Sequence, residues 1–202
     1  AAEKNSAMEK WLVAELTNRF ITGDQSVVNL VVDSLKITDF VGVLERIIGS
    51  DTSKGNIGKK GGGLFIAHQI LSEAAKQDPL LADIKVPRTW YIATDQIVDF
   101  LHYNNLEELN SYKYNSAFYL RITYNNVVSK IKNSRLPPNT VQMLRLVLDE
   151  MDSVPIIVRS SSLLEDQQGS AFSGKYKSLF LTNRGTKAER LDALIDAVLE
   201  VY

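Results

Sequence analysis

Between Gly49 and Gly63 the sequence reads GSDTSKGNIGKKGGG, a stretch with six glycines and three lysines. It restricts the fold more than any other segment, because glycine weakens regular structure and opens positive φ to the backbone. Such a run is either a flexible linker or a loop that cradles phosphate. The residues that follow bear on the choice. Leu64, Ala67, Leu71 and Ala74 recur at helical spacing, so the glycines run straight into a helix N-terminus. Backbone N–H groups without helical partners and the positive end of the helix dipole meet there, which favours an anion. Lys59 or Lys60 would add a point charge. The run does not fit the Walker pattern, since Gly58 is followed by two lysines and neither Ser nor Thr stands where magnesium would need it. It does not fit G-x-G-x-x-G either, because residue 66 is Ile66. Linker and cradle both remain open on these residues alone.

The rest of the chain predicts a mixture of helices and short strands. Ser6 and Glu9 form a capping-box pattern ahead of Trp11, Leu12, Leu16 and Phe20, with Gly23 as a stop. Residues 26–35 are ambiguous between helix and strand. Thr38 or Asp39 could cap a helix that carries Phe40, Val43, Leu44, Ile47 and Ile48 on one face, with Gly49 after it. Pro79 is expected to end the helix that follows the glycines. Thr89–Ala93 reads as a strand, and Thr94 and Asp95 as caps for a short helix with Ile97, Val98 and Leu101. Residues 104–150 read as mostly helical, punctuated by Leu136-Pro-Pro138 and ending on a face of Val141, Leu144, Leu148 and Met151. Pro155–Val158 and Tyr176–Leu181 read as two strands. Thr186 and Glu189 form a second capping box, and the helix Leu191–Val201 runs into the chain end without a stop signal, so the expectation is a truncated domain.

Composition narrows the chemistry. A chain of 202 residues with 45% hydrophobic and 23% charged residues is ordinary for one or two globular domains. The net charge of -1 gives no global pull toward nucleic acid or anionic membrane, so any anion site must be local. Without cysteine, disulfides, thiolate catalysis and Cys-based zinc sites are excluded. His68 and His102, the two histidines, stand far apart and read as incidental. No apolar signal core or bilayer-length run occurs, and the expected location is the cytoplasm.

A second motif is richer in chemistry. Val158-Arg159-Ser160-Ser161-Ser162 is followed by Glu165-Asp166 and by Ser170-Ala-Phe-Ser-Gly174. A buried strand ending in Arg-Ser-Ser would deliver a guanidinium and hydroxyls to the C-terminal edge of a sheet, where open α/β sheets bind ligands. The guanidinium fork suits phosphate oxygens. The competing reading is an ion pair from Arg159 to Glu165 or Asp166 on a solvated loop.

Two paired segments, Ile57-Gly-Lys-Lys60-Gly-Gly-Gly-Leu64 and Pro155-Ile-Ile-Val-Arg159-Ser-Ser-Ser162, stand with Glu165-Asp166 and Ala171-Phe-Ser-Gly174. Together they resemble the N-terminal signatures of the phosphoenolpyruvate synthase and pyruvate phosphate dikinase family. The resemblance covers roughly residues 55–202 and is most specific from Val154 to Ser178. It implies an α+β (mixed α/β) fold: the first lobe of an ATP-grasp nucleotide-binding domain over residues 51–202, preceded by a helical N-terminal extension over 1–50. It implies ATP as ligand, with Lys60 at the position of a phosphate-binding lysine and Arg159 at that of a phosphate-binding arginine. Gly174 and Ser178 fall on a glycine and a threonine of the loop that covers the phosphates. Lys59, Gly63, Lys175 and Lys177 depart from the family pattern, and the loop is more basic than usual.

In the family, ATP phosphorylates a histidine on a separate domain and the group then passes to pyruvate on a barrel domain. The resemblance therefore implies that the catalytic groups and the magnesium ligands lie outside this segment, that pyruvate is reached through other domains of the parent chain, and that the segment alone is inactive. A related phosphotransferase with another acceptor, a non-catalytic nucleotide-sensing or interaction module, and a plain structural domain with a glycine linker are the alternatives.

Overall fold

The computed structural model describes residues 6–50, 52–162 and 176–202. Helices and short strands mix, and the fold class is α+β, as the family resemblance implies. The described residues fall into two compact units. One runs to Thr94 and takes in Ser161 and Ser162; the other comprises Asp95–Ser160 and residues 176–202.

In the first unit, α1 (Ala7–Leu16) begins at the Ser6 capping box: Glu9 N–H donates to the Ser6 hydroxyl at 3.2 Å, and Ser6 N–H to the Glu9 carboxylate at 2.6 Å. It continues into one π-helical turn, Thr17–Ile21. The buried face is Val13, Thr17 and Ile21, while Leu16 and Phe20 pack partly against the core. Trp11, expected on that face, is 57% exposed. Thr17 takes a core position because its hydroxyl is satisfied inside the helix, donating to the Val13 carbonyl at 2.7 Å. The ambiguous run at 26–35 is largely helical: α2 (Gln25–Val31) starts at Asp24, whose carboxylate accepts from Ser26 N–H at 3.0 Å.

The largest departure from expectation comes next. A 3-10 turn (Ile37–Phe40) and the short α3 (Val41–Leu44) end before Ile47 and Ile48, which form β1 instead of completing a helix. This β-branched pair fits an extended backbone well. It pairs in parallel with β2 (Tyr91–Ile92), in register Ile47↔Tyr91 and Ile48↔Ile92. Helix α4 (Gly58–Ala74) runs between them, so β1–α4–β2 is a parallel crossover unit. Helix α4 stops at Ala74, and Pro79 opens a 3-10 turn rather than ending the helix. The strand expected over Thr89–Ala93 is ordered as a pair only at its centre.

One core joins the N-terminal helices to this crossover: Val13, Ile21, Val31, Leu35, Phe40, Val43, Ile57 and Phe65. Each such side chain contributes roughly 1.5–3 kcal/mol by leaving water. The Phe40 and Phe65 rings meet at 5.5 Å, tilted by 55°.

The second unit is helical with one ribbon. Helices α5 (Gln96–Tyr103), α6 (Ala117–Lys132) and α7 (Pro138–Met151) cover the region read as helical, and α7 begins at Pro138 as the proline pair implies. Strands β3 (Ile156–Arg159) and β4 (Ser178–Leu181) pair antiparallel. Helix α8 (Lys187–Val201) starts at the expected Thr186–Glu189 capping box. Leu144, Val147 and Leu148 of α7 and Leu191, Leu194 and Val198 of α8 are buried. Phe100 meets Tyr202 edge-on at 5.2 Å, and burial, with Asp99 nearby, pushes the Tyr202 hydroxyl pKa well up. No described helix is long and apolar enough to cross a membrane.

Candidate functional site

The C-terminal part of the glycine run, Gly58–Gly63, is not an open loop: it is the first turn and a half of α4, packed against its own unit, while Gly49 and Gly55 lie in the irregular chain that leads into it. The buried face of the helix start is Gly58, Gly61, Gly62 and Phe65, at the i, i+3, i+4, i+7 spacing of a core stripe. A Cβ on Gly61 would lie 2.9 Å from the Tyr91 ring, and one on Gly62 would lie 2.8 Å from Ile21 Cγ2. Gly58 has φ +73°, and a Cβ there would sit 2.4 Å from the Ser161 carbonyl oxygen. Glycine is thus required at these positions by close approach, and at Gly58 by conformation as well. The stripe read from the sequence, Leu64, Ala67, Leu71 and Ala74, is not the core face: Leu64 and Leu71 are half-buried and Ala67 is exposed.

The chain entering α4 is held by backbone and side chain alike. Ile57 N–H donates to the Phe20 carbonyl at 2.9 Å. The Arg19 guanidinium donates to the Gly55 carbonyl at 3.2 Å and also to the Ser53 carbonyl. Asn56 and Thr94 bond reciprocally: Thr94 N–H to the Asn56 carbonyl at 2.9 Å, and Asn56 N–H to the Thr94 hydroxyl at 3.1 Å. Gly58 N–H donates to Asn56 Oδ1 at 3.0 Å, and Gly61 N–H to Ser161 Oγ at 3.1 Å. The donors on either side of Lys59 and Lys60 are therefore engaged by protein groups, and the cationic capacity of the turn rests on those two lysines. Lys59 is exposed and Lys60 half-buried. Hydrogen bonds from the Ser26 hydroxyl and amide hold the Asp24 carboxyl below its usual range, and the Lys59 charge contributes.

Arg159 and Ser178, both singled out by the family resemblance, are cross-strand partners in the β3–β4 ribbon. Both lie on its exposed face, with Ile157 and Phe180 as the neighbouring pair. Ser178 is thus the first residue of a strand. Lys177, one of the basic departures, forms an ion pair with Glu200, which also pairs with Lys132 at 2.5 Å. Lys60 belongs to the first unit, and Arg159 and Ser178 to the second. Gly174, Lys175, Glu165 and Asp166 lie outside the described residues. Among the described residues no group of three His, Asp or Glu is placed to hold a metal ion. His68 is exposed, and His102 Nδ1 meets the Glu107 carboxylate at 2.7 Å on the surface.

The sequence reading missed Arg19, Asn56 and the specific role of Ser161, and it took Thr94 for a helix cap where its hydroxyl instead accepts from Asn56 N–H. Arg19 carries no motif. Asn56, directly before the Gly58 turn, is the one with a local signal, since Asn side chains commonly bond the backbone two residues on.

Residues 55–202 match the family model described as pyruvate phosphate dikinase, AMP/ATP-binding domain. No curated protein and no solved structure gives a significant match.

Proposed function

The chain belongs to the pyruvate phosphate dikinase AMP/ATP-binding domain family, and from that premise we propose that Lys60 and Arg159 bind the phosphates of ATP, with Gly174 and Ser178 in the segment that covers them. The observation that carries the reading is the family match over residues 55–202, which takes in both motifs. Ser161 stands two residues after Arg159 and its hydroxyl is bonded to the turn that carries Lys60. Ser161 and the Lys60 turn both belong to the first unit. The crossover supports the reading through the charge of Lys60 and the dipole of α4, since the Gly58 and Gly61 amides are engaged by Asn56 and Ser161.

The family assignment favours an ATP-grasp lobe in a parent phosphotransferase that passes a phosphoryl group to a histidine on another domain and then to pyruvate. Magnesium would neutralise charge on the phosphate oxygens. In this arrangement the chain's own residues bind and orient: Lys60 as a point charge, Arg159 as a two-pronged donor. The alternative of a nucleotide-sensing module drew on the basic departures, but Lys177 is engaged by Glu200 within its own unit, which removes one of them from the argument.

Calorimetric titration with ATP, tripolyphosphate and adenosine tests the proposal. Tripolyphosphate is expected to keep most of the affinity of ATP, and adenosine to bind barely or not at all. Arg159→Ala is expected to cost about tenfold or more, since a charge-assisted hydrogen bond contributes about 1.5–3 kcal/mol, and Arg159→Lys to restore only part of it. Adenosine binding as well as ATP, or an Arg159→Ala variant with unchanged affinity, would overturn the phosphate assignment.

A further inference from the structure

The N-cap residue of α4, Ile57, has no capping side chain. The Ser161 hydroxyl supplies the missing contact from more than a hundred residues away. It accepts from Gly61 N–H at 3.1 Å and donates to the Ile57 carbonyl at 3.3 Å. Ile57 carbonyl and Gly61 N–H are the two ends of what would be the first i→i−4 bond of the helix. The hydroxyl therefore sits across the opening bond of the glycine helix, and Lys60 lies inside the turn that this bond closes.

The fit around the hydroxyl is close. The Ser161 carbonyl, hydroxyl and Cβ would lie 2.4, 2.5 and 2.8 Å from a Cβ on Gly58, so any side chain at Gly58 would displace Ser161. On its other flank the turn is closed by the Tyr91 ring against Gly61. Ser161 touches no residue by charge and cannot neutralise a phosphate. What it can do is fix where the Lys60 turn points.

We propose that Ser161 is a positioning residue for phosphate binding, its hydroxyl spanning Ile57 and Gly61 to set the turn that carries Lys60. The proposal rests on the phosphate-binding reading above. Losing one bridging hydroxyl is expected to lower tripolyphosphate and ATP affinity about three- to tenfold, with no effect on adenosine. Ser161→Thr, which keeps the hydroxyl, is expected to retain most of the affinity.

The test titrates tripolyphosphate into the 202-residue chain and its Ser161→Ala, Ser161→Thr, Lys60→Ala and Ser161→Ala/Lys60→Ala variants. The Gly61 amide is followed in parallel by two-dimensional NMR. Expected are a loss in Ser161→Ala, its recovery in Ser161→Thr, and a shrinkage of the loss below about twofold when Lys60 is already alanine. The Gly61 amide resonance should move and exchange faster with solvent in Ser161→Ala. If Ser161→Ala binds like wild type while Lys60→Ala is weakened, the positioning role is wrong and the phosphate reading stands. If Ser161→Ala weakens binding equally in both backgrounds, Ser161 does not act through Lys60 and the proposal fails. If the wild-type chain does not bind tripolyphosphate, the phosphate reading and the role built on it fall together. Should Ser161→Ala not fold, Ser161→Cys, close in size with a weaker donor, is judged by the same criteria.

Discussion

Gly62 and Gly63 are adjacent in α4, yet replacing each by alanine should change stability in opposite directions. Alanine is better than glycine inside a helix by about 0.8–1.0 kcal/mol. At Gly63 nothing lies within 4 Å of the added methyl, so that gain is expressed almost in full. At Gly62 the new carbon would lie 2.8 Å from Ile21 Cγ2, whereas carbon atoms rest about 3.5–4.0 Å apart. Ile21 is 1% exposed and β-branched, so it has few rotamers to retreat into. Forcing an extra carbon into such a core costs about 1–3 kcal/mol. After the propensity gain, Gly62→Ala should destabilise by up to about 2 kcal/mol, and Gly63→Ala should stabilise by about 1 kcal/mol. The chain's two tryptophans, Trp11 and Trp90, both belong to this unit, so urea unfolding followed by tryptophan fluorescence reports on it directly. Thermal midpoints should separate by several degrees, at about 2–4 °C per kcal/mol for a chain of this size. A Gly62→Ala variant stabilised as much as Gly63→Ala would refute the claim that the glycine face is a packing surface.

Gly58→Ala should be more damaging than Gly62→Ala in the same assay. It combines a left-handed backbone, which costs a side-chain-bearing residue roughly 1–2 kcal/mol, with the collision at Ser161; a loss under about 1 kcal/mol would contradict that geometry. In the second unit, Glu189 accepts from the Thr186 N–H at 2.8 Å and from its hydroxyl at 2.9 Å, and these bonds hold its carboxyl below the usual range. A lowered pKa stabilises the fold above the ordinary glutamate value of about 4.3 and loses that stabilisation as pH falls through the lowered value. The difference in thermal midpoint between wild type and Glu189→Gln should therefore be present at neutral pH and vanish in acid; a difference that grows toward low pH would reverse the assignment. Thr186→Ala, which removes the cap hydroxyl of α8, should cost about 1 kcal/mol in the same measurement.

Much of the second unit was legible because its signals are local. Thr186 three residues before Glu189 marks a helix start, Pro137-Pro138 marks another, and an apolar β-branched run marks β3. The first unit hid its organisation where side chains say least. Ile47 and Ile48 are compatible with helix and strand alike, and only their partner at Tyr91 and Ile92, more than forty residues on, makes them a strand. The core face of α4 is carried by three glycines and one phenylalanine, so a search for apolar side chains settles on Leu64 and Leu71 instead. Arg159 and Ser178 were legible as motif residues, but their register as cross-strand partners depends on the ribbon. Ser161 stood in plain view as one of three serines; what distinguishes it is a hydrogen bond to a backbone a hundred residues away, which no local pattern encodes.

The shared core of the first unit separates two boundaries that are usually taken as one. The family match begins at residue 55, yet of the buried residues around Ile57 and Phe65, six lie before it: Val13, Ile21, Val31, Leu35, Phe40 and Val43. A chain started at residue 55 would give up roughly 10–20 kcal/mol of apolar burial, as much as the whole net stability of an ordinary domain. It would also leave Gly61 and Gly62 in a helix without the neighbour that justifies one of them. The limits of a recognisable ligand-binding segment and the limits of a piece that folds by itself are different quantities here. Residues 6–50 contribute no known binding motif, and they are what gives the glycine helix a surface to form against.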